Sequence, residues 1–149
     1  MQIHLDGSNS MAAGRMTVFS LLTDPNFLAT TLPDAEDVHV LDGKSLEAKI
    51  KLRLAIVSSK LKFRMTVAEA EAPVRAKLLA EGSGSGSGIK IASTFTLEGD
   101  APTTMKWTAD AEISGVMAGL GSTILKGFAT KKVAEIFEGI TRAVEAHSP

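Results

Sequence analysis

From Val38 to Ile113 apolar residues fall at every second position, a pattern that few folds accommodate. Leu46, Ala48, Ile50, Leu52, Leu54 and Ile56 alternate with Glu47, Lys49, Lys51 and Arg53. After Ser58-Ser59 the inner row continues with Leu61, Phe63, Met65 and Val67, against Lys60, Lys62, Arg64 and Thr66. Pro73 restarts the chain, and Val74, Ala76, Leu78 and Ala80 alternate with Arg75, Lys77 and Glu81. Ile89, Ile91, Ser93, Phe95 and Leu97 follow; Gly99-Asp100-Ala101-Pro102 turns the chain into Met105, Trp107, Ala109, Ala111 and Ile113. Period two sends successive side chains to opposite faces, so this is an antiparallel meander with one dry and one wet face. Val38 and Val40 enter it through an Asp42-Gly43 hairpin turn. Gln2 to Gly7, with Ile3 and Leu5 on one side, adds a first strand, for about seven in all.

A sheet with one dry face has to be covered. The only long proline-free stretch with helical spacing is 117–146. In its C-terminal half Val133, Ile136, Phe137, Ile140 and Val144 share one face, and Lys131, Glu135, Glu138, Arg142 and Glu145 the other. In its N-terminal half the pattern slips. Ala118, Ser122, Leu125 and Ala129 point where Ile140 points, and Met117, Leu120, Ile124 and Phe128 point away. The expected architecture is α+β: one antiparallel sheet curled around this helix. The thin half of the helix predicts a cavity lined by Phe19, Leu54, Phe63, Met65, Phe95, Trp107 and Leu125; the alternative is a core filled by the bulky strand residues. Met117, Leu120, Ile124 and Phe128 either meet other helices or form a portal. The portal would be an apolar lip of Leu120, Ile124 and Phe128 beside the glycines at 82–88.

Those other helices are short. Gly14 to Leu22 is helical, with Met16, Phe19 and Leu22 facing in. Asp24-Pro25 supplies an N-cap and a first-turn proline, starting a helix with Phe27 and Leu28 that Pro33 stops. The pair has a helix-turn-helix shape, but Arg15 is the only basic residue before Lys44. Nucleic acid is therefore not an expected partner. Gly82-Ser-Gly-Ser-Gly-Ser-Gly88 resembles a linker. Neither flank completes a sheet alone, so it reads as a mobile hairpin connection or frayed strand end inside one domain, 1–149.

The 149 residues include no cysteine, which excludes disulfides and thiolate chemistry. The polar start is no signal peptide, and no run reaches the ~18 apolar residues of a spanning helix; a cytoplasmic protein is expected. His4, His39 and His147 are scattered, and Asp34, Glu36, Asp37 and Asp42 read as solvated turn residues. No phosphate loop follows the glycines. Neither a catalytic constellation, a metal site nor a cofactor is indicated. Ten of the 16 basic residues fall on the wet face: Lys49, Lys51, Arg53, Lys60, Lys62, Arg64, Arg75, Lys77, Lys90 and Lys106. With acids concentrated in loops and the last helix, that face is expected to attract anionic headgroups or an acidic partner.

Val18-Phe19, Leu22-Thr23-Asp24-Pro25, Leu28 and Leu32-Pro33 resemble the opening of the CoxG family of carbon monoxide dehydrogenase subunits, within the START-like, helix-grip superfamily. Gly119-Leu120-Gly121-Ser122, Ile124, Lys131-Lys132 and Ile136-Phe137 resemble its ending, and the glycine-rich stretch before residue 89 fits as well. The resemblance implies seven antiparallel strands gripping a C-terminal helix, with two small helices closing one end. It also implies a pocket for an apolar ligand (a lipid or quinone), no catalysis, and a link to a molybdenum hydroxylase complex or to the membrane. Two departures stand out. Asp34 replaces the usual glycine after the Leu-Pro step, and the chain ends at Pro149, where some members continue into a membrane anchor. Membrane contact is therefore expected to be peripheral.

Overall fold

A computed structural model describes residues 1–32, 34–54 and 57–147. Strand β1 (Gln2–Met11) leads into helices α1 (Arg15–Leu22) and α2 (Pro25–Ala29). Strands β2 (Ala35–Val40), β3 (Ser45–Leu54), β4 (Val57–Glu71), β5 (Arg75–Gly84), β6 (Ser87–Gly99) and β7 (Thr103–Gly115) follow. A 3-10 turn (Val116–Leu120) precedes helix α3 (Ser122–His147). The strands form one antiparallel sheet in the order β1-β7-β6-β5-β4-β3-β2. This is the expected sheet, gripping the expected helix. Pro33, Ala55 and Ile56 lie outside the described residues, as does the side chain of Leu54.

The Gly-Ser stretch is ordered as strand. β5 runs to Gly84 and β6 starts at Ser87, and the two are paired there. The connecting residues Ser85 and Gly86 both have positive φ, 52° and 75°, which matches the twist of a two-residue hairpin. Of the two expectations for this stretch, the structure has the hairpin connection and not a frayed strand end.

The long helix is also shorter than its sequence pattern suggests. Gly121, at φ 88°, breaks it and leaves Met117 and Leu120 in a separate turn. Gly115, at φ 77°, brings that turn against the β5–β6 hairpin. A Cβ there would lie 2.0 Å from the Gly86 carbonyl oxygen. Ser87 Oγ accepts from the Met117 amide at 3.0 Å, and the Val116 amide donates to Gly86 O at 3.0 Å.

Two apolar clusters share the space between sheet and helix. In the first, Val18, Phe19, Leu22, Phe27 and Leu28 of the small helices pack with Ile140 and Val144 of α3 and with Phe95 and Trp107 of the sheet. Met16, expected to face inward, is 59% exposed. Thr103 Oγ1 donates to Ala13 O at 2.8 Å, and Glu145 Oε2 accepts from the Ala12 amide at 2.9 Å. The first bond ties the approach to α1 to β7, and the second ties it to the C-terminal half of α3, away from Leu120 and Ile124. The second cluster joins Ile3, Leu52, Leu61, Ile113, Met117 and Leu125 at the other end.

Candidate functional site

Between the clusters lies a cavity of about 230 Å³. Its walls come from strand positions that face α3. In register across the sheet, Met65 pairs with Ala80, Ala80 with Ile91, Ile91 with Ala111 and Ala111 with Ile3. Ala109, beside Leu5, lies two residues before Ala111. Ala129 of α3 faces these alanines across the space. Bulky residues at those four alanine positions would fill it, so the void follows from small side chains brought together by the strand register. Ile50, Leu52, Phe63, Ile89, Ile113, Leu125, Phe128, Val133 and Ile136 complete much of the wall. Lys132 is the one polar side chain lining it among the described residues. Depressions of about 510 and 710 Å³ on the outer sheet face are larger, but open to solvent and edged by charged side chains such as Lys62, Arg64, Lys90 and Glu112. Of these three spaces, the inner cavity alone is enclosed by both sheet and helix.

Of the side chains expected around a cavity, Phe63, Met65 and Leu125 line this one. Phe19 and Phe95 do not: they meet edge to face at 6.3 Å within the small-helix cluster. Trp107 lies flat over Gly7, where a Cβ would stand 2.7 Å from its ring. Its Nε1 donates to Asn9 Oδ1 at 3.1 Å. These three are consumed in packing because α1, α2 and the C-terminal half of α3 converge on them. The side chain of Leu54 is not described. Of the expected lip, Phe128 turns inward and lines the cavity, and Leu120 is half-buried in the second cluster. Ile124 is 45% exposed, as is Val116, in the turn that precedes α3, at 57%. The small helices cover neither, since they pack on the opposite end of α3.

A further depression, about 380 Å³, opens beside the start of β2, where β3 runs on past Ala35 paired only with β4. Asp34, Lys51, Arg53, Lys131 and Glu135 line it, together with Phe128 and Lys132, which it shares with the cavity. Lys132 Nζ lies 3.0 Å from Asp34 Oδ2, 3.2 Å from Glu135 Oε2 and 5.7 Å from the Phe128 ring centroid. Burial opposes the charge on Lys132, but the hydrogen bonds and charges of Asp34 and Glu135 outweigh it and raise its pKa. The ammonium thus ties α3 to the entrance of β2 across the cavity mouth.

The outer face is not the one-signed surface expected. One row across the sheet reads Glu47, Arg64, Glu81, Lys90 and Glu112, each directly opposite the next. Lys49 pairs with Asp37, Lys60 with Glu36, Arg75 with Glu71 and Lys106 with Glu98. Carboxylates from neighbouring strands and β2 offset most of the positive charge. Lys77 stands opposite Glu69. The excess narrows to Lys51, Arg53 and Lys62.

The family model for CoxG, a carbon monoxide dehydrogenase subunit, matches residues 7–145. The chain belongs to this family. Among solved structures, a conserved protein from Geobacillus kaustophilus shares 23% identity at a TM-score of 0.86, over 97% of this chain and 96% of that one. A START superfamily protein from Mycobacterium smegmatis is similar over 96% of this chain and 97% of its own, at 14% identity and a TM-score of 0.71. The Zhui aromatase/cyclase from Streptomyces sp. R1128 aligns over 100% of both chains, at 13% identity and a TM-score of 0.69. At these identities the likeness establishes the fold alone, START-like and helix-grip. No protein of curated function matches the sequence. Among the described residues no three His, Asp or Glu side chains gather as a metal site, and no helix is long and apolar enough to cross a membrane.

Proposed function

We propose that this CoxG family member binds the hydrophobic part of a small molecule, a lipid or quinone, between sheet and α3, and carries it without transforming it. The observation behind this reading is the cavity wall, apolar except for Lys132. Ligand pockets are mostly apolar with few polar groups, and a polar group held deep inside this one would go unpaired at a cost of a few kcal/mol. Non-catalytic binding is supported by the engagement of Lys132, the one titratable group in the wall, by two carboxylates. Family membership supports a carbon monoxide dehydrogenase-type molybdenum hydroxylase as the destination. The exposure of Val116 and Ile124, on either side of the break at Gly121, supports a peripheral membrane contact where ligand enters. A second reading, docking of an acidic partner through the outer sheet face, rests on Lys51, Arg53 and Lys62.

Native mass spectrometry of protein purified from its source, with organic extraction, tests the carrier reading. Wild type should release an apolar compound that an Ala111→Leu variant lacks, because the added side chain occupies the void. Release of the same compound by both variants, or of none by wild type, would deny the cavity a role in binding.

A further inference from the structure

The cavity wall is apolar apart from Lys132 while its mouth is cationic, and the two meet at Phe128 and Lys132. We infer that the ligand is a single-chain amphiphile with an anionic head, its tail in the cavity and its head on Lys51, Arg53 and Lys131. This rests on the reading of the cavity as a ligand site, and it names the ligand class.

Three observations carry it. The first is the wall itself. With no hydrogen-bond partner beyond Lys132, it forces any polar head out to the mouth, since burying it unpaired is unfavourable. The second is size. At about 30 Å³ for each water-sized group, a volume of 230 Å³ takes a tail of about eight carbons. The third is charge at the mouth. Four cations (Lys51, Arg53, Lys131 and Lys132) face two carboxylates, Asp34 and Glu135. Both carboxylates are held by Lys132. Among the described residues Lys51, Arg53 and Lys131 form no salt bridge, although Glu36 is close enough to feel Lys51. A carboxylate or phosphate gains from these three cations what a neutral head does not.

Calorimetric titration of the full chain with octanoate, octyl phosphate, 1-octanol and octyltrimethylammonium tests the inference. Octanoate or octyl phosphate should bind on the order of tenfold more tightly than octanol at low salt, the size of a few exposed ion pairs. The advantage should shrink as salt screens the mouth. In Lys51→Gln/Arg53→Gln/Lys131→Gln it should vanish while octanol affinity stays unchanged. Equal binding of octanol and the anions, tight binding of the cation, or an advantage that survives in the triple variant would each overturn the anionic head and leave the cavity intact. If none of the four probes binds, the carrier reading falls with it.

Discussion

Trp107 and Phe137 stack with ring centroids 4.7 Å apart and planes 29° from parallel. The stack joins β7 to α3 just outside the cavity, so the single tryptophan reports on packing between sheet and helix. Phe137→Ala should shift its emission and cost up to about 3–5 kcal/mol, the usual range for a phenylalanine lost from a core. Octanoate should leave that emission nearly constant. In a Trp107→Phe/Phe128→Trp chain, where the indole sits at the mouth, it should change saturably. A large ligand response from Trp107 with none from the mouth would contradict this placement of the cavity.

The four alanines around the void predict an uncommon stability response. Ala111→Leu adds three carbons to a space with room for them, and burying each contributes about 0.8 kcal/mol. The variant should therefore melt at or above the wild-type temperature. In a filled core the same change would cost about 1–3 kcal/mol through overpacking. A clear loss of stability in thermal melts would thus deny the void itself.

What the sequence made legible follows from how local each signal is. Period-two alternation needs only neighbours in the chain, and it located the strands and their inner rows. The position of the void depends instead on register. Ala80, Ala109 and Ala111 come together only through pairing between β4, β5, β6, β7 and β1, and spacing along one strand carries no trace of that. Phe19, Phe95 and Trp107 are large, apolar and correctly read as inward. Yet α1 and α2 choose that end of the sheet, and this is a tertiary outcome. On α3, Phe128 stands twelve residues before Ile140 and so projects roughly 120° from it, at the edge of the stripe, which is why it reads as an outward residue. The slip in phase before Ser122 is real, and its cause is the break at Gly121.

The outer face offers a test of cross-strand charge. Lys62 stands directly opposite Lys49, and Lys60 opposite Lys51, and like charges so placed are destabilising. Lys62→Glu should raise stability by about 0.2–1 kcal/mol. Arg64→Glu, which would face Glu47 and Glu81, should lower it by a similar amount. Lys62→Glu should also weaken any attraction to anionic vesicles by roughly 1 kcal/mol. Stability changes of equal sign in the two variants would mean that the register does not control these charges.

His4 and Asp110 pair across β1 and β7, with Nδ1 2.6 Å from Oδ1. The hydrogen bond to Asp110, with help from Asp6, holds the His4 pKa above 6.5. Because the folded value is raised, its stabilising effect is complete below pH 6.5 and fades as pH rises through the folded pKa. Melting temperature should therefore decline slightly on going upward through neutral pH, and His4→Gln should flatten that part of the profile. An unchanged profile in the variant would assign the decline to other groups.

The exposed end of α3 separates a portal from ordinary core. Leu125 is 2% exposed and lines the cavity, so Leu125→Ala should cost about 2–5 kcal/mol. Ile124 is its neighbour in sequence but lies 45% exposed, as does Val116, at 57%, on the turn that touches the β5–β6 hairpin. Ile124→Ser should leave stability within about 0.5 kcal/mol, as surface changes usually do. A bilayer, however, would lose an apolar foothold at this lip. Transfer of a fluorescent acyl probe between vesicles should therefore slow in Val116→Ser/Ile124→Ser, while equilibrium binding of octanoate stays constant. Lys132→Met, two turns further along the same ridge of α3, makes the comparison, because it unties Asp34 and Glu135 and leaves Val116 and Ile124 in place. If Lys132→Met changes the transfer rate and the double serine variant does not, ligand enters at the cationic mouth and the lip is only surface.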